Sequence, residues 1–221
     1  MIKYTIDKSQ AIIFEGRTLY RIKALRDFAD VTKGDYGGYI QNYRNLSQNG
    51  TCWIYDDAKV LNDAEVFGSA RINDKVTLSS HAKVYGNAML NDNVTVTDYA
   101  KIYDDAYLND RVHVRGFANI YGKAKLYNDV LITDSVHIFG KTKLEGSLYL
   151  TKDAIISSSN DVFGFNDVTQ KRYLTYTVSN QTWVADTGVI GNHQDLLDSA
   201  TTDKTKTIYQ HYIAIIKNSE K

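Results

Sequence analysis

Three histidines in the middle of the chain, His81, His113 and His137, are the side chains whose type suits proton transfer near neutral pH. General-base chemistry needs an imidazole within hydrogen-bond reach of its substrate and held by a second polar group. A second set is acidic: Asp56, Asp74, Asp92 and Asp110 recur every eighteen residues, with Asn73, Asn91 and Asn109 beside the last three. Such a column reads either as an acidic edge that attracts a cation or a basic partner, or as Asn-Asp turn chemistry. The third set is aromatic. Phe67, Tyr85, Tyr103, Tyr121 and Phe139 share the eighteen-residue spacing, and Trp53, Tyr107 and Tyr149 take outward positions. Stacked rings stabilise neighbouring coils, while Tyr and Trp also concentrate at protein interfaces.

Several chemistries are missing from the motifs. There is no phosphate loop with its Lys, no nucleophile elbow, no dinucleotide fingerprint and no Cys/His cluster with zinc spacing. The single cysteine, Cys52, reads as a small buried thiol, excludes an internal disulfide framework and fits a reducing compartment. The opening MIKYTIDK is polar, and no apolar run reaches the length of a membrane span, so a cytoplasmic location is expected.

The element that must position these side chains is a six-residue repeat. An inward pair two residues apart, as in Ala58 and Val60, Ala64 and Val66, or Ala70 and Ile72, recurs without an inserted residue as far as Ala154 and Ile156. Two inward side chains flanking one outward one is strand spacing, and the polar or Gly residues that follow must turn the chain. The aromatic and acidic columns repeat every three hexads, which makes each coil three-sided and the whole a parallel β-helix. His113 and His137 then fall on different sides and cannot share a site, while His81 falls in a turn.

On either side of residues 46–156 the pattern changes. Residues 1–45 read as an N-terminal cap, with Ala11 to Phe14 and Leu19 to Leu25 forming a hairpin and Gly34, Gly37 and Gly38 bending into the first coil. An open β-helix end exposes unpaired backbone, so a cover is physically required. Residues 157–221 read as a small α+β C-terminal domain: a hairpin around Ser179-Asn180-Gln181, a break at Gly188 to Gly191, a short helix at His193 to Ala200 and an amphipathic helix over Thr205 to Lys217. Lysines and arginines number 26, as do acids, yet residues 46–110 hold ten acids and five bases, and residues 111–153 hold four acids and seven bases. That polarity argues against direct nucleic-acid binding, which calls for a continuous basic stripe.

The hexads resemble the hexapeptide-repeat proteins, and the resemblance covers about half the chain. It implies a left-handed triangular β-helix. The chain departs from that pattern by placing Tyr or Phe after the aliphatic residue on one of its three sides. Residues 37–58, GGYIQNYRNLSQNGTCWIYDDA, also resemble the opening segment of uncharacterised hexapeptide proteins loosely labelled acyltransferases. For such enzymes the resemblance implies acyl-CoA as cofactor, a trimer with sites between chains, and a histidine base, for which His81 is the candidate here. No loop is thrown out from the coils to complete such a site.

The reading preferred from the residues is a non-catalytic binding protein that needs no cofactor. Its partner would be a protein, for instance a basic nucleic-acid-handling enzyme, docked through Asp56, Asp74, Asp92 and Asp110 and the rings of Trp53, Tyr85, Tyr103, Tyr107 and Tyr121. Capped β-helices of this build also resemble small proteins of bacteriophage, which implies inhibition of a bacterial defence protein, as by an anti-CRISPR. The alternatives are the acyltransferase and a structural homo-oligomer.

Overall fold

The computed structural model describes residues 2–219. Its centre is a three-sided parallel β-solenoid whose strands pair with those eighteen residues on: Met89 lies against Arg71 and Tyr107, Thr95 against Thr77 and His113, Lys101 against Lys83 and Asn119. Each hexad contributes a short strand followed by a turn with one residue at positive φ. The series Asp56, Asn62, Gly68, Asp74, Ser80, Gly86 and Asp92 has φ between 49° and 72°. Only Gly and small polar residues adopt that conformation cheaply, which is why the turns are rich in Asp, Asn, Ser and Gly.

The inward pairs form one continuous core, with Ala58 to Ile156 almost wholly shielded from solvent. Burying one large aliphatic side chain is worth about 1.5–3 kcal/mol, and each coil buries three of them; an aromatic pair adds about 0.5–1.5 kcal/mol. The inward residues therefore hold the rod together, and the rings refine it.

The N-terminal end is closed by a hairpin of β1 (Tyr4–Phe14) and β2 (Arg17–Ala24), longer at its start than the sequence implies. Next comes β3 (Tyr36–Ile40), which pairs antiparallel with β2 and parallel with Lys59–Val60. The first rung of the solenoid thus lies inside the segment read as cap. Gly37 and Gly38 allow this close approach, since a Cβ there would come within 2.4 Å of the Ile54 carbonyl oxygen and 2.5 Å of that of Ala58. Buried Lys3 seals the same end, its Nζ donating to the Cys52 carbonyl at 2.9 Å and lying 3.3 Å from Cys52 Sγ. Burial pushes the Lys3 ammonium down and the Cys52 thiol up, so the cysteine is a core residue.

At the other end, the outward residue of each last strand would donate its amide to a coil that does not exist. Three hydroxyls take its place: Ser159 accepts from Lys143 N–H at 3.0 Å, Thr175 from Tyr149 N–H at 2.9 Å and Ser179 from Ile155 N–H at 2.8 Å. They come from a C-terminal unit with its own core around Leu174, Trp183, Leu196, Tyr209 and Ile216. Its sheet has the order Val162–Asp167, Arg172–Thr177, Thr182–Ala185, Gly188–Gly191, all antiparallel. The hairpin around Ser179 is as expected. Gly188–Gly191, however, is a paired edge strand rather than a break, and the Val162–Asp167 strand has no counterpart in the sequence reading. Helices α1 (His193–Asp198) and α2 (Asp203–Ser219) complete the unit, and α2 buries Tyr209, Ile213 and Ile216.

Asp167 is buried in this unit, accepting from Tyr209 Oη at 2.5 Å and Thr169 Oγ1 at 2.6 Å. Burial pushes its carboxyl up, but the hydrogen bonds from Thr169, Tyr209 and the amides of Gln170 and Thr169 outweigh this and hold it below the usual range. Tyr209 is in turn pushed up to about 12, chiefly by burial. A depressed carboxylate stabilises above its unfolded value, about 3.9, and that contribution is lost as pH falls through the native value. Acid titration followed by Trp183 fluorescence should show the C-terminal unit losing stability below about pH 4, with Asp167→Asn flattening the dependence. In the same unit, Thr175→Val with Ser179→Ala should speed hydrogen exchange at Tyr149 and Ile155 and leave Thr77–Leu78 and Thr95–Val96 protected.

Candidate functional site

The acidic column proves to be stitched into the backbone. Asp56 Oδ2 accepts from Asp74 N–H at 3.2 Å, Asp74 from Asp92 at 2.9 Å, Asp92 from Asp110 at 3.4 Å, and Asp110 from Asn128 at 2.9 Å. Asn73 and Asn91 join side chain to side chain at 2.8 Å. The same device operates at the other corners, where Asp98 caps Gly116 N–H at 3.0 Å and Asp104 caps Gly122 N–H at 3.2 Å. One carboxylate oxygen of each residue thus serves the next coil, as turn chemistry demands, and this also offsets the repulsion along the column.

The expected aromatic column stacks in register. Ring centroids are 4.6 Å apart for Phe67 and Tyr85, 5.0 Å for Tyr85 and Tyr103, 4.9 Å for Tyr103 and Tyr121, and 5.3 Å for Tyr121 and Phe139, with planes within 13°. Partial burial pushes the Tyr85 and Tyr103 hydroxyls up. Tyr107 is half-buried, tilted against Tyr127 at 5.7 Å. Trp53 requires a correction. It points out of its coil but is only 1% exposed, because Phe28 and Tyr4 of the cap pack edge-on against it at 5.3 and 6.1 Å. It offers no surface to a partner.

A second ring column escaped the sequence reading. His81 stacks on Tyr99 at 4.7 Å and Tyr99 on Phe117 at 5.1 Å, again eighteen residues apart. The spacing was there to be found, but Asp63 and Ser135 interrupt the column at its two ends. His81, Tyr99 and Phe117 are turn residues two positions before the outward strand residues Lys83, Lys101 and Asn119, and Tyr85, Tyr103 and Tyr121 stand two positions after them. One flat side of the prism is therefore bordered by two ring columns, with Lys83, Lys101, Asn119 and His137 between them. Tyr99 and Phe117 are 49% and 61% exposed.

Of the histidines, His113 and His137 lie in different sheets, as read from the spacing. His81 is half-exposed, with Nε2 3.7 Å from Asp63 Oδ2, while Asp63 Oδ1 is held by Arg44 Nη1 at 2.6 Å. These residues line a cleft of about 650 Å³ between the solenoid turns and the cap, with Arg17, Gln41 and Asn42 on the cap side. Asn42 caps the short 3-10 helix Tyr43–Asn45, which carries Arg44 into the cleft. An imidazole beside a carboxylate can accept a proton from a bound hydroxyl or amine. Among the described residues no group of three or more His, Cys, Asp or Glu is arranged to hold a metal ion, and no helix is long and apolar enough to cross a membrane.

The class is thus a three-sided parallel β-solenoid with eighteen-residue coils. No family model matches the chain. It is similar to the uncharacterized acetyltransferase YdcK of Escherichia coli (strain K12), 44% identical over 55 residues. The match covers 24% of this chain and spans 17% of that protein's length.

The engaged carboxylates set a direct test of the acidic column. Asp92→Ala removes the acceptor for Asp110 N–H and places alanine at φ 57°, so urea unfolding should show a loss of about 1–3 kcal/mol. Asp92→Asn retains an acceptor and tolerates the backbone, and should stay within about 0.5 kcal/mol of wild type.

Proposed function

We propose that the chain is a non-catalytic binding scaffold that docks a protein partner through the flat side carrying the two ring columns. The observation that carries this reading is the exposure of Tyr99 and Phe117 on the same side as Tyr103, Tyr121 and the exposed Lys101. Contiguous exposed aromatic area marks interaction surfaces, and rigid Tyr side chains lose little entropy on docking. The rings inside the columns stack on one another, so Tyr85, Tyr99, Tyr103 and Tyr121 turn edges and hydroxyls outward rather than open faces. Nucleic-acid bases would need open ring faces, which favours a protein. The acidic column contributes less than the sequence suggests, since its carboxylates are half spent within the turns.

A second reading is acyl transfer from acyl-CoA with His81 as base. It is favoured by the 3.7 Å approach of His81 to Asp63 and by the printed name of the E. coli protein.

Affinity capture from a bacterial lysate, with wild type, the paired variant Phe117→Ser/Lys101→Glu and Asp92→Asn as baits, separates the readings. A protein retained by wild type and Asp92→Asn but lost from the paired variant is the expected result. Equal capture by all three baits would remove the flat side from consideration. Thermal stabilisation by acetyl-CoA together with turnover abolished by His81→Ala would replace docking with catalysis.

A further inference from the structure

We infer that the cleft between the cap and the first coils is a binding site for a small polyhydroxylated anion, a sugar phosphate or a sugar carboxylate. The inference goes beyond the docking surface and does not depend on it: the cleft shares His81 and Tyr99 with that surface but draws four of its ten lining residues, Arg17 among them, from the cap.

Its volume, about 650 Å³, lies within the range of small-molecule sites. Three separate stretches converge on it: Arg17 just after the β1–β2 turn, Gln41, Asn42 and Arg44 around the 3-10 helix, and the solenoid turns at Asn62–Asp63, Ser80–His81 and Asp98–Tyr99. No aliphatic side chain lines it. Polar groups converging from three stretches favour a ligand that offers hydrogen-bonding groups to each of them.

The hydrogen-bonding inventory narrows the class. Gln41 Oε1 accepts from Asn62 N–H at 2.8 Å and Asn42 Oδ1 from Arg44 N–H at 2.9 Å, so both amide oxygens are fixed and both NH2 groups remain as donors. Arg17 has no hydrogen-bond or carboxylate partner from its side chain among the described residues, and Arg44 commits one nitrogen to Asp63. Donors are therefore in excess; of the two guanidiniums and two carboxylates in the lining, Arg44 is paired with Asp63 and the Arg17 fork stays open, and guanidinium forks match carboxylate and phosphate oxygens. Asp98 spends Oδ2 on Gly116 N–H and retains its other oxygen, which can accept from a ligand hydroxyl. Both donors and acceptors are thus offered, the pattern that recognises hydroxyls beside an anionic group.

Flat heteroaromatic anions fit less well. Both faces of Tyr99 are covered, by His81 and by Phe117, so the ring meets a ligand with its edge and hydroxyl.

Calorimetric titration of the full chain tests this, with glucose 6-phosphate, glucuronate, glucose, inorganic phosphate and AMP as probes. Glucose 6-phosphate or glucuronate should bind with a Kd below about 1 mM and at least about tenfold tighter than glucose, phosphate or AMP. Which of the two binds tells phosphate from carboxylate. Arg17→Ala should weaken that binding at least about tenfold, at an unchanged melting temperature because the side chain is exposed, while Phe117→Ser/Lys101→Glu should leave it intact. Neither sugar anion binding, binding no tighter than inorganic phosphate or AMP, or binding indifferent to Arg17→Ala would each overturn the inference. Loss of sugar-anion binding leaves partner capture by the flat side unaffected, so the two proposals fail separately.

Discussion

The constraint on which everything else rests is the amide ladder between successive coils. A residue's N–H reaches the carbonyl seventeen positions on, as Lys83 does Ala100 and Tyr85 does Ile102, so every coil must contain the same number of residues. A single insertion would shift all later strands by one place and turn inward side chains outward. The turn residues at positive φ follow from this requirement, because only a tight, identical corner keeps three strands per coil in step. The acidic column follows as well. Each carboxylate ties its own corner to the one beside it, which is why Asp recurs where the backbone is left-handed.

Stacking then converts a period in the sequence into columns on the surface, and this sets what was legible. The inward pairs, the three-sided coil and the Phe67 to Phe139 column could be read directly, because each is a property of the period itself. What could not be read depends on parts of the chain that do not repeat. Trp53 has the position of an outward residue, yet Phe28 and Tyr4 arrive from the cap and cover it. Tyr36–Ile40 has no hexad signature, but its two glycines let it lie against the first coil as a rung. Gly188–Gly191 reads as a break and is held as a strand by its neighbour Thr182–Ala185. The His81, Tyr99 and Phe117 column is short enough to be lost among unrelated turn residues.

The same division separates the two surfaces of interest. The flat side is periodic, with rings at near-constant spacing and a rigid backbone behind them, and suits recognition of something large. The cleft is aperiodic. It exists because Arg17 and Arg44 of the cap overhang turns that elsewhere face open solvent, and its polar groups are individually distinct. His81 belongs to both, stacked in a column on one side and beside Asp63 in the cleft on the other.

The three hydroxyls of Ser159, Thr175 and Ser179 bear on how such a rod changes length. They address the final rung of each sheet through its backbone alone, and so do not depend on which coil is final. Adding or removing a whole coil of eighteen residues between the two ends keeps those three backbone contacts in phase, so reach along the axis changes in steps of about 4.8 Å.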